Sequence, residues 1–203
     1  PGHSRKHSFD VPLPTGFFVS DASEAQSPAV SLTRGDDEAW RALYDRYSVR
    51  VWRYVARMLG ADTEAVADAV QETFLAAARS AHRFDSTKGT HWSWLAGIAH
   101  NQVAMYWRRA GVRRIDPAEP QFDDSPGGSN FPEDNLQQQE TIRLVRRVLA
   151  ELPGDYAGLL EAKYSDGCSI HEIVELFGGS SESVRSKLAR ARREFRKRIE
   201  MES

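Results

Sequence analysis

From Asp36 to Arg109 the apolar positions recur at steps of three and four residues, the period of helices that bury one face. Trp40, Leu43, Tyr44, Tyr47, Val51, Tyr54, Val55, Met58 and Leu59 define a first helix, which Gly60 closes. Asp62 stands as the cap of a second helix carrying Val66, Ala69, Val70, Thr73, Phe74 and Ala77. A polar loop, Asp85 to Thr90, precedes a third helix from about His91 to Arg109. Its apolar positions are Trp94, Leu95, Ile98, Val103 and Met105.

The period then fails. Pro117, Pro120, Pro126, Gly127, Gly128 and Pro132 punctuate a stretch in which neither helix nor sheet is expected to about residue 134. Helices resume near Asn135, with Leu136, Ile142, Val145, Leu149 and Leu152 on one face. Pro153-Gly154 breaks that helix. Tyr156, Leu159, Leu160 and Tyr164 fit the next, and Asp166-Gly167 breaks it in turn. Ser169-Ile-His-Glu172 has the form of a capping box, opening a short helix with Ile170, Ile173, Val174 and Phe177. After Gly178-Gly179-Ser180 a last helix runs from about Ser181 to Ile199, with Val184, Leu188 and Phe195 inward. Strand-like alternation is absent. The expected fold is all-α: two small helical domains, 31–114 and 138–203, joined by a flexible linker, 115–137. A flexible tail, 1–30, precedes them. Phe17-Phe18-Val19 is the part of the tail suited to docking, and Pro1 to Ser4 read as a scar of tag cleavage.

Of the 203 residues, 40% are hydrophobic, enough for packed cores. No apolar run reaches the roughly 18 residues of a membrane span, so no membrane insertion is expected. Cys168 is the only cysteine, which excludes an internal disulfide and points to the cytoplasm. The net charge of −2 hides a segregation. Seven acids and no Lys or Arg lie between Ile115 and Glu140, whereas eight bases face one acid, Glu194, between Arg185 and Arg198. That basic end implies a polyanionic partner.

A short helix, a glycine-containing turn and a longer basic helix make a helix-turn-helix. Ser180, Ser181 and Ser183 bring small hydroxyls and free backbone N–H groups to the start of the last helix, where phosphate can approach. Arg185, Ser186, Lys187 and Arg190 project outward from its first turns, the part that enters a major groove. Arg192 to Arg198 suit phosphate contact.

Three stretches, in order, resemble the extracytoplasmic-function (ECF) sigma factors, the smallest members of the sigma-70 family. Asp68-Ala-Val-Gln-Glu-Thr-Phe74 is similar to the core-binding motif of region 2.2. Trp94-Leu-Ala-Gly-Ile-Ala-His-Asn101 with Tyr106-Trp-Arg-Arg109 resembles regions 2.3 and 2.4. Leu152-Pro153 through Ser169-Ile-His-Glu-Ile173 to Ser183-Val-Arg-Ser-Lys-Leu-Ala-Arg-Ala-Arg192 resembles region 4. The resemblance implies a sigma-2-like bundle and a sigma-4-like helix-turn-helix that bind core RNA polymerase, at its β′ clamp helices and β flap, and promoter DNA. It implies polymerase contacts at Asp68, Gln71 and Glu72, with Phe74 packing inward. It places Asn101 where an unstacked −10 base is read, with Asp85 to His91, including Lys88, as pocket wall. Arg108, Arg109, Arg113 and Arg114 would grip the nearby backbone. Ser181, Ser183, Arg185, Ser186, Lys187 and Arg190 would face −35 duplex. Trp92, Trp94, Tyr106 and Trp107 could serve as stacking platforms, but for each of them core packing is the favoured reading, and by period Trp94 fits the core best.

Ala65 and Ala67 stand where family members often carry acids, which leaves the polymerase-facing helix less negative. Thr63, among Asp62, Glu64 and Asp68, is a phosphorylation candidate that would restore charge. Met105 replaces a usual Asp, and Gly179 a usual apolar residue of the turn. An anti-sigma factor or a kinase is the regulator such a chain calls for. A compact free form, with the basic domain against the acidic linker or the region 2.2 face, is a further expectation.

Enzymatic readings find little footing. His171-Glu-Ile-Val-Glu175 lacks the second histidine of a zinc-protease helix, and Gly127-Gly128 lacks the Lys-Ser/Thr of a phosphate loop. No metal site, cofactor or catalytic activity is expected. Two alternatives to a sigma factor stay open: a helix-turn-helix regulator that binds duplex DNA alone, and an enzyme with an appended DNA-binding domain. The first would bind a specific duplex without polymerase; the second would turn over a substrate.

Overall fold

The computed structural model describes the backbone of residues 37–60, 62–113 and 132–202, and the side chains of 37–60, 62–110 and 137–202. The expected tail with Phe17 to Val19, Arg114, most of the expected linker and the side chain of Arg113 lie outside the described residues.

Helix α1, Asp37–Leu59, buries Leu43, Tyr47, Val51, Tyr54, Val55, Met58 and Leu59 along one stripe. Gly60 ends it at φ +91°, a conformation that favours glycine. The Asp62 carboxylate accepts the Ala65 N–H at 2.9 Å and starts α2, Thr63–Ser80. A single 3₁₀ turn, Ala81–Arg83, leads to the loop before α3, His91–Arg113. Val51, Val55, Met58, Leu95 and Val103 are fully buried where α1, α2 and α3 meet. Each such side chain contributes roughly 1.5–3 kcal/mol.

Helix α4 is Pro132–Glu151, so it begins about three residues before the sequence reading placed it. The misjudged residue is Pro132, counted as a breaker; at the first position of a helix its missing N–H has no helical partner to lose. Helix α5, Gly154–Leu160, runs into one π turn, Glu161–Ser165. The extra residue of that turn breaks the helical period, and Tyr164, expected on the apolar face, is exposed. Helix α6, Ile170–Phe177, starts in the expected capping box: Ser169 Oγ accepts the Glu172 N–H at 3.2 Å, and the Glu172 carboxylate accepts the Ser169 N–H at 2.7 Å. Those bonds also hold the Glu172 carboxyl below its usual pKa. Removing the hydroxyl with Ser169→Ala is expected to cost about 1 kcal/mol. Urea titration checks it, and an unshifted midpoint would mean that the box adds nothing.

Gly178 and Gly179, at φ +79° and +89°, reverse the chain into α7, Ser181–Glu202. The positive φ explains the departure at Gly179, since an apolar side chain there would be strained. Val184, Leu188 and Ala191 bury the inner face of α7.

The second group of helices lies against the first, and one continuous core joins them. Helices α4, α5 and α6 rest on α1 and α3. The described helices therefore pack as one body, with the second unit docked on the α1/α3 side; of the two docks expected, the outer face of α2 stays exposed, and most of the acidic linker lies outside the described residues. Among the described residues no strand is present, and no helix is long and apolar enough to cross a membrane.

Candidate nucleic-acid interface

The loop before α3 is built by its own side chains. The Asp85 carboxylate accepts the Thr87 N–H at 3.0 Å and the Thr87 hydroxyl at 2.6 Å, and pairs with Lys88 at 3.1 Å. These partners, the Thr87 hydroxyl foremost, pull the Asp85 pKa down to about 2. Thr90 caps α3, its Oγ1 accepting the Ser93 N–H at 3.1 Å. Lys88 is exposed and able to meet an anion. His91 is not: its ring is buried and stacked on Phe84 at 4.4 Å. The expected DNA contact from His91 is therefore withheld in this arrangement, because the first turn of α3 packs into the loop.

Further along α3, Asn101, Arg108 and Arg109 are exposed on its outer surface. The aromatics divide otherwise than the period implied. Trp92 is the buried one, with Tyr54 and Phe177 edge-on to its ring and the Arg50 guanidinium 5.2 Å from its centroid. Trp94 is only partly buried and leans on Phe84. Trp107 Nε1 donates to the Met58 carbonyl at 3.2 Å and the Tyr106 hydroxyl to Asp62 at 3.3 Å, pinning α3 to the α1–α2 corner. These two rings therefore support the helix that presents Asn101.

Asp68, Gln71 and Glu72 lie exposed on the outer face of α2, with Thr63 exposed at its start. Phe74 packs at the edge of the core against Tyr44, ring centroids 4.8 Å apart. Sequence reasoning passed over Leu75, which is exposed beside Gln71 and Glu72 and lends the acidic face an apolar contact. Its signal was present: it stands off the apolar period of α2.

On α7, Ser183, Arg185, Ser186, Lys187 and Arg190 are exposed and Ser181 is partly so. The Ser186 hydroxyl accepts from the Arg190 guanidinium at 3.3 Å, which holds that arginine along the outer face. Behind them, Pro153, Tyr156, Arg190, Arg193, Glu194, Lys197 and Arg198 line a shallow, mainly cationic groove between α5 and α7. Arg198 is tethered to Glu151 at 3.4 Å. Arg190 bounds the groove on the side of the first turns of α7; the rest of its lining, Arg193 to Arg198, lies farther along the helix and suits phosphate rather than base edges. Among the described residues no group of three or more His, Cys, Asp or Glu is arranged to hold a metal ion.

His100, next to Asn101, had no role in the sequence reading. It is buried, with Nε2 2.8 Å from the Leu152 carbonyl and Nδ1 3.1 Å from the Tyr54 hydroxyl. In the neutral ring Nε2 donates and Nδ1 accepts. Burial lowers its pKa, against the smaller pull of the Leu152 carbonyl and Asp155. A histidine held neutral contributes stability that is complete above the unfolded pKa of about 6.5 and is lost as pH falls toward the lower folded value. Glu161, whose pKa burial raises, works in the opposite direction. It is common to wild type and a His100→Gln variant, so it drops out of their difference. Urea unfolding at about pH 7.5 and about pH 5 is expected to show wild type losing stability relative to His100→Gln on acidification; a constant difference contradicts it.

Comparison with known proteins matches both groups of helices to one family. Residues 43–113 match Sigma-70 region 2, and residues 142–195 match Sigma-70, region 4. The chain is 31% identical over 171 residues to the ECF RNA polymerase sigma-E factor of Salmonella typhimurium (strain LT2), covering 79% of this chain and 86% of that protein. It is 29% identical over 160 residues to the ECF RNA polymerase sigma factor SigL of Mycobacterium tuberculosis (strain H37Rv), covering 77% and 86%. A solved structure of CnrH in complex with the cytosolic domain of CnrY aligns at TM-score 0.45 and 21% identity, over 87% of this chain and 97% of that one.

Proposed function

The chain belongs to the ECF sigma factors of the sigma-70 family, and from that premise we propose how its surfaces share the work of promoter recognition. It is an RNA polymerase sigma factor that serves promoter recognition and transcription initiation. The outer face of α2, through Asp68, Gln71, Glu72 and the apolar Leu75, docks on a basic helical element of core polymerase, the β′ clamp helices. The helix-turn-helix unit meets the β flap.

The exposed side of α3 carries −10 recognition. Asn101 pairs with an extruded base, Lys88 approaches the strand from the loop, and Arg108 and Arg109, with Arg113, hold its backbone. Helix α7 reads −35 duplex through Arg185, Ser186, Lys187 and Arg190, with Ser181 and Ser183 near phosphate. The observation that carries the reading is the separation of three exposed polar faces, on α2, α3 and α7, each with the chemistry of a different partner. The chain supplies binding and selectivity in the cytoplasm; the polymerase supplies the chemistry. Co-elution with core polymerase, combined with promoter binding that requires core, tests this. Specific duplex binding by the chain alone, without affinity for core, would favour the stand-alone regulator.

Thr63, exposed in the first turn of α2, is the proposed point of control. A phosphate there is favoured by the helix N-terminus and adds charge to a face where Ala65 and Ala67 supply none. A kinase is the regulator that this position fits, and an anti-sigma protein covering both units is the other class. Thr63→Glu is expected to bind core at least threefold more tightly than Thr63→Ala, about 0.65 kcal/mol. Equal affinities remove the proposal.

A further inference from the structure

We propose that the apolar segment Phe17-Phe18-Val19 docks in cis on the outer edge of α1, across Tyr44, Val49 and Trp52. The docking stands apart from the sigma-factor reading; its consequence for polymerase binding rests on that reading.

Among the described residues seven large hydrophobic side chains are exposed, and three of them crowd this edge: Tyr44 at 51%, Val49 at 60% and Trp52 at 49%. Single exposed apolar residues are ordinary, whereas a contiguous group marks a contact surface. Tyr44, Ser48, Trp52 and Ala56 follow at four-residue steps and form one line along α1, with Val49 beside it. Helix α3 and the second unit take the other side of α1. They meet it through Tyr54, against Trp92 and His100, and through Arg57, against Glu161 and Asp166. Tyr44 instead lies on Phe74, so the line borders the seam between α1 and α2.

The size of the line selects its occupant. Three half-exposed side chains offer on the order of a few hundred Å², given the ~150–250 Å² of a buried aromatic. A stable interface between two copies takes about 1,200 Å² or more. A segment already tethered to α1 needs far less, because its local concentration is high. Phe17-Phe18-Val19 is such a segment, and residues 20–36, seventeen in all, separate it from Asp37 at the start of α1. A coil of that length has a root-mean-square span of ~21–25 Å. Trp52 stands fifteen residues along α1 from Asp37, ~22 Å at about 1.5 Å per residue. The tether matches the distance, the condition under which an intramolecular contact is strongest. Charge agrees with this placement. Asp21 and Glu24 follow the segment, and the exposed Arg53, next to Trp52, has no ion pair among the described residues.

On α2, Phe74 is one turn from Gln71 and next to Leu75, so the seam adjoins the face proposed for core polymerase. The docked segment crowds that face, and core must displace it to take the whole of it. Free chain and polymerase-bound chain thus differ in where Phe17 to Val19 sit.

A nitroxide on Ser20→Cys, in a chain whose buried thiol is removed by Cys168→Ala, tests the docking without polymerase. Amide signals of residues 44–56 should weaken at least twofold in the free chain, while those of α7 keep their intensity. Phe17→Ser with Phe18→Ser should restore them. Unweakened signals, or weakening that survives the two serines, overturn the proposal. Weakening caused by nitroxide on a separate chain assigns the edge to a second copy and overturns it too.

Should Cys168→Ala unfold the chain, fluorotryptophan in the native sequence gives the same reading. The Trp52 resonance, assigned by its loss in Trp52→Phe, should move with the two serines while that of Trp92 stays. An unmoved Trp52 overturns the docking. Core polymerase should bind the doubly substituted chain at least threefold more tightly than wild type, and equal affinities overturn the competition. If neither chain binds core, the sigma-factor reading fails, while the spectra of the free chain still decide the docking.

Discussion

Reversing Asp68 and Glu72 to lysine is expected to weaken core polymerase binding at least tenfold, about 1.4 kcal/mol or more. The two carboxylates stand four residues apart, one helical turn, on the outer face of α2, with Gln71 and Leu75 beside them. A basic partner helix would then face like charge, and such juxtaposition costs several kcal/mol when desolvated. The fold should not suffer. Both residues are exposed, and among the described residues Glu72 pairs only with the exposed Arg79 at 3.2 Å, a contact worth about 0–1 kcal/mol. Titration of labelled protein with core, beside urea unfolding, separates the two effects. Native-like affinity in the double variant would move the polymerase contact elsewhere; a lowered unfolding midpoint would make the loss uninformative about contact.

Arg185→Ala and Arg190→Ala should act on sequence preference as well as affinity. Each arginine is exposed on the outward face of α7, and a bidentate arginine–guanine contact is worth about 1–3 kcal/mol of discrimination. Loss of either is expected to reduce initiation at a cognate promoter by roughly 5- to 150-fold and relax the preference at one −35 position. Arg193→Ala and Lys197→Ala, in the groove behind, should weaken all sequences alike and lower the salt dependence by about one unit of slope each. Competition among randomised −35 elements, repeated at several salt concentrations, distinguishes the two classes. If all four variants lose affinity uniformly, α7 grips backbone and reads nothing.

Much of this was legible in the sequence because helices announce themselves locally. The apolar period gave α1, α2 and α3; Gly60 marked the end of α1, Asp62 the start of α2, and the Ser169–Glu172 box the start of α6. The helix-turn-helix was legible for the same reason: glycine turn, short amphipathic helix and basic helix are neighbours in the chain. Pro132 and Tyr164 misled where a local rule has an exception, proline at the first position of a helix and a π turn that shifts the period. The core reading of Trp92 held, but its rank below Trp94 did not, because the second unit, packing through Phe177, covers Trp92. His100 and Leu152 are 52 residues apart and Arg57 and Asp166 still farther, so nothing local pairs them. The interdomain contacts were therefore the least visible part, whereas the exposure of Asp68, Gln71 and Glu72 on α2 followed from the apolar period of that helix.

The most direct test of the central claim is promoter-dependent run-off transcription by core polymerase on a genomic promoter library, with the initiated 5′ ends mapped, in the presence and absence of this chain. The account predicts a new set of start sites that share −10 and −35 elements at fixed spacing, appear only when chain and core are both present, and vanish with the α2 charge reversal. An unchanged set of start sites with a folded, soluble chain would contradict it.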